Sequence, residues 1–484
     1  MRGRAAIGRW RAAPVGLGLL LAASALPGAT ASAAASSGVD LARLPRAEAV
    51  IRAEMQTQKI PGVGFAVIDH GKVILAKGYG YANLEHSVPV SAETVFQSGS
   101  VGKQFTSTAV MLFVEEGRLK LDDPVTRYLR EAPPEWSRIL IRHLLTHTSG
   151  IRDYGYEASY DTRRAVTEEE LVRMACAQPI EFQPGERYSY SNTGYLLLGA
   201  ILGRIGGRHY SEVLRERVFK PLGMSSARLI DEAAVVPHRA AGYHLLNGEI
   251  ANQQWVAPEQ NTTADGSLYL SVNDMIAWDK GLRAGAILSA ASWHQVYTPV
   301  TLLSGNTYPY GFAWDVYVSA GQEVHAHSGG VPGFATYIVR YLGDELSLIV
   351  LTNQEEADPE RIARRVAGVL RDDLRTPDRH PITDSKPALR AALELLLARA
   401  RAGTLTAEDL PHVRGGFQPS NATAYRSEFE GLGELRSLTL VARDPLGNDE
   451  HSEYLAVFAS GSRLVDYTVD SRGGTVDLDI GLAD

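Results

Sequence analysis

The sequence has almost no cysteine. Its 484 residues include one, Cys176, so no disulfide bond can form within the chain. Cys176 lies in a mostly apolar, helix-like stretch, residues 171–177, which predicts a buried structural side chain and not a nucleophile. Because a chain of this length can bury sizeable cores, folding must rest on apolar packing.

An excess of positive charge is also absent. The chain has 48 Lys and Arg against 56 Asp and Glu, a formal net charge of −8. This balance gives no general attraction to nucleic acid or to an anionic membrane surface. We therefore expect no nucleic-acid partner. Hydrophobic residues make up 45% and charged residues 21% of the chain, which is typical of a globular protein.

Apolar runs long enough to span a bilayer are lacking. The most apolar run, residues 15–26, is shorter than the roughly 20 residues that a membrane helix needs. Four arginines precede this run, and A-x-A sites follow it at 29–31 and 31–33. We predict that residues 1–33 are a cleaved signal peptide, with no stable membrane anchor and a periplasmic or secreted mature protein. An uncleaved anchor is the alternative. Cleavage would remove four Arg and no acid, so the net charge would move from −8 to −12.

Two common catalytic patterns are missing. No G-x-S-x-G occurs, which argues against the nucleophile turn of an α/β-hydrolase. His143 and His147 have the four-residue spacing of a zinc protease, but Leu144 stands where its catalytic Glu would be. We therefore predict neither a metal nor a cofactor.

A Ser and a Lys three residues apart, Ser100 and Lys103, stand at the start of a predicted helix that ends before Gly117. This spacing puts both side chains on one helix face. A desolvated amine there can accept the Ser proton, and free backbone N–H groups at the helix start can stabilise negative charge. Taken alone, the pattern also fits a capping Ser followed by a solvated Lys.

Two further motifs follow in order. Tyr190 and Asn192 form Y-S-N before an apolar run, and residues 327–330 form H-S-G-G between two strand-like runs. The stretch 146–150, T-H-T-S-G, ends another apolar run. An earlier Y-x-N at 81–83 ends a predicted strand and precedes Ser100, so we interpret it as structural.

S-x-x-K, Y-x-N and H-x-G in this order resemble the serine β-lactamase and penicillin-binding superfamily. The narrower resemblance is to the class C β-lactamase and D-Ala-D-Ala carboxypeptidase branch, which includes esterases and D-aminopeptidases. It spans roughly residues 40–375. Y-S-N replaces the S-D-N of class A enzymes, which favours the class C side. H-S-G replaces the K-T-G common in β-lactamases. This difference puts the turnover of β-lactams in doubt, but it does not count against hydrolysis of other substrates.

The resemblance implies a role for each matching residue. Ser100 matches the nucleophile, Lys103 the neighbouring amine, and Tyr190 the base or proton shuttle. Asn192, His327 and Gly329 match groups that orient Lys or substrate. The backbone N–H groups of Ser100 and Gly330 match the oxyanion hole.

These roles imply a secreted serine hydrolase acting through a Ser acyl-enzyme on a small-molecule or peptide substrate. The candidates are a D-amino-acid peptide, an ester or amide, and a β-lactam, ranked in that order on His327 alone. Histidine titrates near ~6.5, so we expect His327 to lose its charge within pH 5.5–8.5 and to attract a carboxylate less than Lys would. The alternative is a non-catalytic, penicillin-binding-like ligand sensor. The sequence sets no oligomeric state.

The order of predicted elements indicates an α/β fold of the α+β kind. Strands at 63–69 and 72–77 and again at 310–317, 335–341 and 346–351 predict one antiparallel sheet flanked by helices, with a helical lobe between. We predict a β-lactamase-like hydrolase domain at 40–375, a Pro- and Asp-rich linker at 376–387 and a small accessory α+β domain at 388–484.

Overall fold

The computed structural model describes residues 38–483, except 157–159, 378, 411–412, 414–416 and 418. The predicted signal peptide, residues 1–33, lies outside the described residues. Within the described ranges, no helix is both long enough and apolar enough to cross a membrane.

The strands and helices alternate along the chain in the mixed pattern that the sequence predicts. The strands are β1 (Gly62–Asp69), β2 (Lys72–Asn83), β3 (Val88–Pro89), β4 (Val95–Gln97), β5 (Arg228–Leu229), β6 (Tyr243–Leu246), β7 (Glu249–Asn252), β8 (Leu268–Ser271), β9 (Val300–Thr301), β10 (Thr307–Tyr308), β11 (Asp315–Ser319), β12 (Gln322–Val331), β13 (Phe334–Tyr341), β14 (Leu346–Thr352), β15 (Leu435–Leu446), β16 (Asp449–Phe458), β17 (Gly461–Val469) and β18 (Thr475–Leu482). The α-helices are α1 (Leu44–Gln58), α2 (Lys103–Glu115), α3 (Ile141–Leu145), α4 (Glu168–Cys176), α5 (Asn192–Gly206), α6 (Tyr210–Leu214), α7 (Lys220–Leu222), α8 (Val272–Arg283), α9 (Ala290–Val296), α10 (Pro359–Leu370), α11 (Pro387–Ala402) and α12 (Pro419–Ser427).

One antiparallel sheet joins the two ends of the 40–375 region, as predicted. Its strand order is β11-β12-β13-β14-β1-β2-β3, with β1 paired to β14 on one side and β2 on the other. Phe65 on β1 faces a core shared with α1 and α10, whereas Ala66 faces the core of the helical lobe. Because β1 and β14 are covered on both faces, their sequences are almost continuously apolar.

The helical lobe is built around α2 and α5. Residues 103–113 of α2 are all buried, and α5 is buried from Thr193 to Leu202. Cys176, at the end of α4, is buried in the same core, as predicted. The lobe packs on the sheet face opposite α1 and α10, where α8 lies against β1 and β14. The turn before α2 lies against β12 and forms the seam between lobe and sheet.

Two sequence predictions need correction at this seam. The H-S-G-G stretch does not lie between strands but inside β12. The predicted strand at 310–317 is a strand only from Asp315, because Gly311 N–H donates to Trp314 O in a tight turn and Ala313 adopts a φ of 65°.

The C-terminal region has its own core beneath a four-stranded meander, β15-β16-β17-β18. Helix α11 packs on this sheet, in agreement with the predicted helix and strands. The segment before α11 lies along the sheet: Ile382 N–H donates to Leu440 O at 3.0 Å, and Asp384 pairs with Arg443 at 2.6 Å. The domain boundaries themselves stay a prediction.

Candidate active site

Ser100 lies in a 3-10 turn, Gly99–Gly102, that leads from β4 into α2. The helix that the sequence places at Ser100 therefore begins as this tighter turn and becomes α-helical at Lys103. Gly99 has a φ of 51°, and a Cβ there would lie 2.5 Å from Gly330 N. Only glycine satisfies both conditions, so this turn and β12 can pack backbone against backbone.

Strand β12 passes directly beside the turn. Thr336 Oγ1 donates to Ser98 O at 2.6 Å, which ties neighbouring β13 to the residue two before Ser100. A Cβ on Gly329 would lie 2.3 Å from Ser98 O and 3.0 Å from Ser100 N, whereas a Cβ on Gly330 would meet nothing within 4 Å. The sequence therefore needs glycine at 329 for close packing, while position 330 faces open space beside Ser100.

Lys103 lies completely buried beneath Ser100. Its Nζ is 2.8 Å from Ser100 Oγ, 2.8 Å from Asn192 Oδ1 and 2.5 Å from Asp265 O. An ammonium group donates to all three oxygens. A neutral amine donates to Asn192 and Asp265 and accepts a hydrogen bond from the Ser100 hydroxyl.

Burial lowers the pKa of Lys103 to about 8, because an ammonium ion is poorly solvated in the protein interior. The carboxylates of Asp265 and Asp153 act in the opposite direction. A substantial fraction of the amine is therefore neutral near pH 8, as a general base for Ser100 requires.

Asn192 is the first residue of α5, and its backbone N–H donates to the buried carboxylate of Asp153. A carboxylate at a helix N-terminus binds free N–H groups and complements the helix dipole. Asp153 also accepts from Gly155 N–H at 2.9 Å, and burial raises its pKa. Asp153 thus fixes the helix start that presents the Asn192 amide to Lys103.

Tyr190 lies over the same group of residues. Lys103 Nζ is 4.9 Å from its ring centroid, and its ring packs at 4.1 Å from the ring of His147. Burial raises the pKa of Tyr190 well above its usual value, and a side-chain hydrogen bond with Ser100 opposes part of that change. The phenol is therefore protonated at neutral pH and next to the Ser100 hydroxyl.

His327 is 3% exposed and faces the same cluster of rings. Its Nδ1 is 2.6 Å from Ser328 O, so this nitrogen carries a proton and donates. Its Nε2 accepts from the Tyr310 hydroxyl at 2.9 Å. Burial lowers the pKa of His327 to about 3. The expectation that His327 titrates within pH 5.5–8.5 is therefore wrong, because burial, together with the nearby Lys103 charge, lowers the pKa more than the hydrogen bond to Ser328 O raises it.

A hydrogen-bonded chain connects the Y-S-N and H-S-G motifs. Ser191 N–H donates to His147 Nδ1 at 3.0 Å, so the proton of His147 is on Nε2, which lies 3.2 Å from the Tyr310 oxygen. Tyr310 accepts from His147 and donates to His327. The Ser191 amide makes His147 neutral with its proton on Nε2, and the Ser328 carbonyl places the proton of the neutral His327 ring on Nδ1.

Sequence reasoning missed four of these residues: Asp153, Asp265, His147 as a hydrogen-bonding group, and Tyr310. The T-H-T-S-G stretch contained the only signal for His147. His143, four residues earlier, accepts a hydrogen bond from Leu140 N–H at 3.1 Å, and burial lowers its pKa to about 4. Among the residues that the structure describes, no three or more His, Cys, Asp or Glu side chains are grouped to hold a metal ion.

Known proteins with similar sequences and structures identify the family of this chain. The Beta-lactamase family model matches residues 47–371. Penicillin-binding protein 4* of Bacillus subtilis (strain 168) is 31% identical over 302 residues, 59% of this chain and 66% of that protein. The D-aminopeptidase of Gluconobacter oxydans (strain 621H) is 30% identical over 342 residues, 67% of this chain and 62% of that protein. The chain thus spans slightly less than two thirds of the length of these relatives.

Among solved structures, the octameric penicillin-binding protein homologue from Pyrococcus abyssi has a TM-score of 0.59 and 25% identity, covering 91% of this chain and 98% of that chain. The matched region of the family model contains Ser100, Lys103, Tyr190, Asn192 and residues 327–330, and the model covers more than half of the sequence. The chain therefore belongs to the β-lactamase family.

Proposed function

We propose that the protein is a serine hydrolase that forms an acyl-enzyme on Ser100. One observation carries the proposal: a fully buried Lys103 amine, with its pKa lowered to about 8, lies 2.8 Å from the Ser100 hydroxyl. A solvated surface lysine would be almost entirely protonated at neutral pH. A lysine whose only role was to pair with a carboxylate would not need a buried amine 2.8 Å from a serine hydroxyl.

In the proposed reaction, Lys103 accepts the Ser100 proton as Oγ attacks a carbonyl carbon. Tyr190 is the proton shuttle and not the resting base, because its pKa is raised while that of Lys103 is lowered. The phenol passes a proton to the leaving group and takes one back from Lys103. Water then attacks the acyl-enzyme with the same groups acting in reverse, which restores Ser100.

The backbone N–H groups of Ser100 and Gly330 are the proposed oxyanion hole. The open space beside Gly330 supports this assignment, since a carbonyl oxygen needs room between the two donors. Asn192 holds Lys103 in place and orients the substrate amide. His327 and Gly329 shape the opposite wall, through a fixed hydrogen bond and through close backbone packing respectively.

We propose that the substrate is an amide, a peptide or an ester, with the acyl part from a D-amino-acid compound. The D-aminopeptidase relative supports this class. A β-lactam ranks last, because His327 is neutral at working pH and offers no positive charge to the carboxylate that such compounds carry. The neutral state of His327 thus keeps β-lactams in the last place that the sequence predicted.

A hydrolysis panel tests the proposal: p-nitrophenyl esters, D-amino-acid amides with their L-enantiomers as controls, D-Ala-D-Ala peptides and nitrocefin. Ser100→Ala should lower turnover of the best substrate at least ~10³-fold with an unchanged melting temperature. Intact-mass spectrometry after fluorophosphonate treatment should show one adduct, on Ser100. An adduct elsewhere would overturn the assignment. A stable Ser100 adduct without turnover of any substrate would instead favour the ligand-sensor alternative.

We also propose that the protein is exported, on the pattern of residues 1–33. N-terminal sequencing of the mature protein from its native host should find the chain beginning after Ala31 or Ala33. A start at Met1 in the membrane fraction would favour the uncleaved anchor.

A further inference from the structure

The turn between β15 and β16 reaches out of the C-terminal region and contacts the hydrolase region. We call this turn, together with Leu446 at the end of β15, the hairpin tip (residues 446–448). The Asn448 amide nitrogen donates to Glu186 O at 2.8 Å, and its amide oxygen accepts from Ser304 Oγ at 2.5 Å and from Asn306 Nδ2 at 3.0 Å. One side chain therefore joins two loops of the hydrolase region.

Leu446 places its side chain among aromatic rings of the hydrolase region. It is 4% exposed and forms one buried cluster with Tyr188, Tyr308 and Tyr310. Tyr188 stacks on Tyr308 with ring centroids 3.8 Å apart and 11° between the planes. These tyrosines are 1–7% exposed with the tip in place. An apolar side chain from another part of the fold thus closes this cluster.

The same tyrosines also contact residues of the candidate active site. Tyr188 lies two residues before Tyr190 and packs edge-on against His147, with ring centroids 5.8 Å apart. Tyr310 donates the hydrogen bond that holds His327 Nε2. Tyr190 itself packs against this cluster. Leu446 is thus one layer of rings away from two candidate catalytic-site residues.

Gly447 allows the tip to approach this closely. It has a φ of 65°, as a two-residue hairpin turn requires, and a Cβ there would lie 3.1 Å from Tyr308 Cδ2 and 3.2 Å from Leu302 Cδ1. Glycine therefore fits both the turn and the tight contact, and a larger residue would push the tip away from the rings.

We infer that the hairpin tip is a positioning element of the active site, so that the C-terminal region contributes to turnover. Leu446 and Asn448 are positioning residues: they hold the segment carrying Tyr188 and Tyr190, and keep water from the Tyr310–His327 hydrogen bond. The inference rests on the proposed hydrolase function. Its physical basis is that small displacements of a catalytic group lower the rate steeply while substrate binding changes little.

The test uses full-length chains with single substitutions: Leu446→Ala, Leu446→Met and Asn448→Ala. The matched control is Leu438→Ala, the same truncation on the same strand, at a residue 3% exposed in the C-terminal core and outside the tyrosine cluster. A second interdomain contact, Arg361 to the carbonyls of Leu482 and Ala483 at 3.3 Å, remains in every variant.

We expect kcat on the best panel substrate to fall roughly 10- to 100-fold in Leu446→Ala, with KM within a factor of about three, and to fall less in Asn448→Ala. Leu446→Met should recover most of the rate, because it fills a similar volume. Leu438→Ala should stay near the wild-type rate at temperatures where it is folded. Equal losses in Leu438→Ala and Leu446→Ala, or wild-type rates in both Leu446→Ala and Asn448→Ala, would overturn the inference.

Amide hydrogen exchange separates this inference from the proposed function, because it needs no substrate. Leu446→Ala should speed exchange in peptides covering 185–191 and 302–310, while Leu438→Ala should not. If no panel substrate is turned over but exchange rises as described, the hydrolase proposal fails and the mechanical coupling stands. Unchanged exchange in both segments would refute the coupling itself.

Discussion

The pH dependence of turnover should report the titration of Lys103. Its pKa of about 8, compared with 10.5 for an ordinary lysine, corresponds to roughly 3 kcal/mol of lost preference for the charged form. At pH 7 about 10% of the amine is then neutral, against about 0.03% for an unperturbed lysine, which is a gain of roughly 300-fold in the reactive form.

Since the neutral amine is the proposed base, kcat/KM should rise with pH and level off above about 8. The neutral fraction increases about 50-fold from pH 6 to pH 8. The assay is kcat/KM for a neutral short-chain p-nitrophenyl ester or a blocked amide from about pH 5.5 to 9.5, so that only the enzyme titrates. A profile that is flat over this range, or one that rises near the histidine value of ~6.5, would refute the role of Lys103.

Asp265→Asn perturbs this titration selectively. The Asp265 carboxylate is the largest influence that raises the pKa of Lys103, and its removal should shift the profile to lower pH. The backbone carbonyl that binds Lys103 Nζ is retained, and Asn Oδ1 can still accept from Thr263 Oγ1. Asp372→Asn, at an exposed carboxylate paired with Arg43, is the matched control and should leave the profile in place. A shift to higher pH in Asp265→Asn would contradict the electrostatic argument.

Two further predictions concern the opposite wall of the site. The first concerns His327, whose pKa is lowered to about 3. We expect the ratio of kcat/KM for a carboxylate-bearing substrate to kcat/KM for a neutral substrate to stay flat between about pH 5 and 7. A ratio that drops with a midpoint near ~6.5 would mean that His327 titrates in this range. Gly329→Ala should reduce kcat/KM on the order of 10²-fold, because its Cβ would lie 2.3 Å from Ser98 O and force β12 away from the turn at Ser100. Gly330→Ala, whose Cβ meets nothing within 4 Å, should be the milder change in both kcat/KM and melting temperature, and the reverse order would show that the tight packing at 329 is unimportant.

Much of the fold could be predicted because its signals are local. Apolar strands near both ends of the 40–375 region and a helical middle predicted the shared sheet and the lobe, and the meander of the C-terminal region followed from its regular strands and turns. The strand predicted at 310–317 was largely wrong because a tight turn at Gly311 and a positive φ at Ala313 override strand propensity.

The candidate catalytic motifs could be found from sequence because the proposed chemistry needs particular residue types. The environment of His327 could not, because the residues that bury it and use both of its nitrogens are Tyr310 and Ser328, and the first lies outside every motif. Likewise, the carboxylates of Asp153 and Asp265 act to raise the pKa of Lys103. Their influence could not be predicted from sequence, because it depends on distant segments that meet only in the folded chain.

The sequence by itself determined the candidate nucleophile, its neighbouring amine and the order of the motifs, because these depend on side-chain chemistry and on spacing within one helical turn. Only the tertiary structure decided the charge states of Lys103 and His327, since desolvation depends on what covers a group and not on its neighbours in sequence. It alone also brought Leu446 against the tyrosines behind the site, because a contact between residues more than 130 positions apart is set by how the two regions pack.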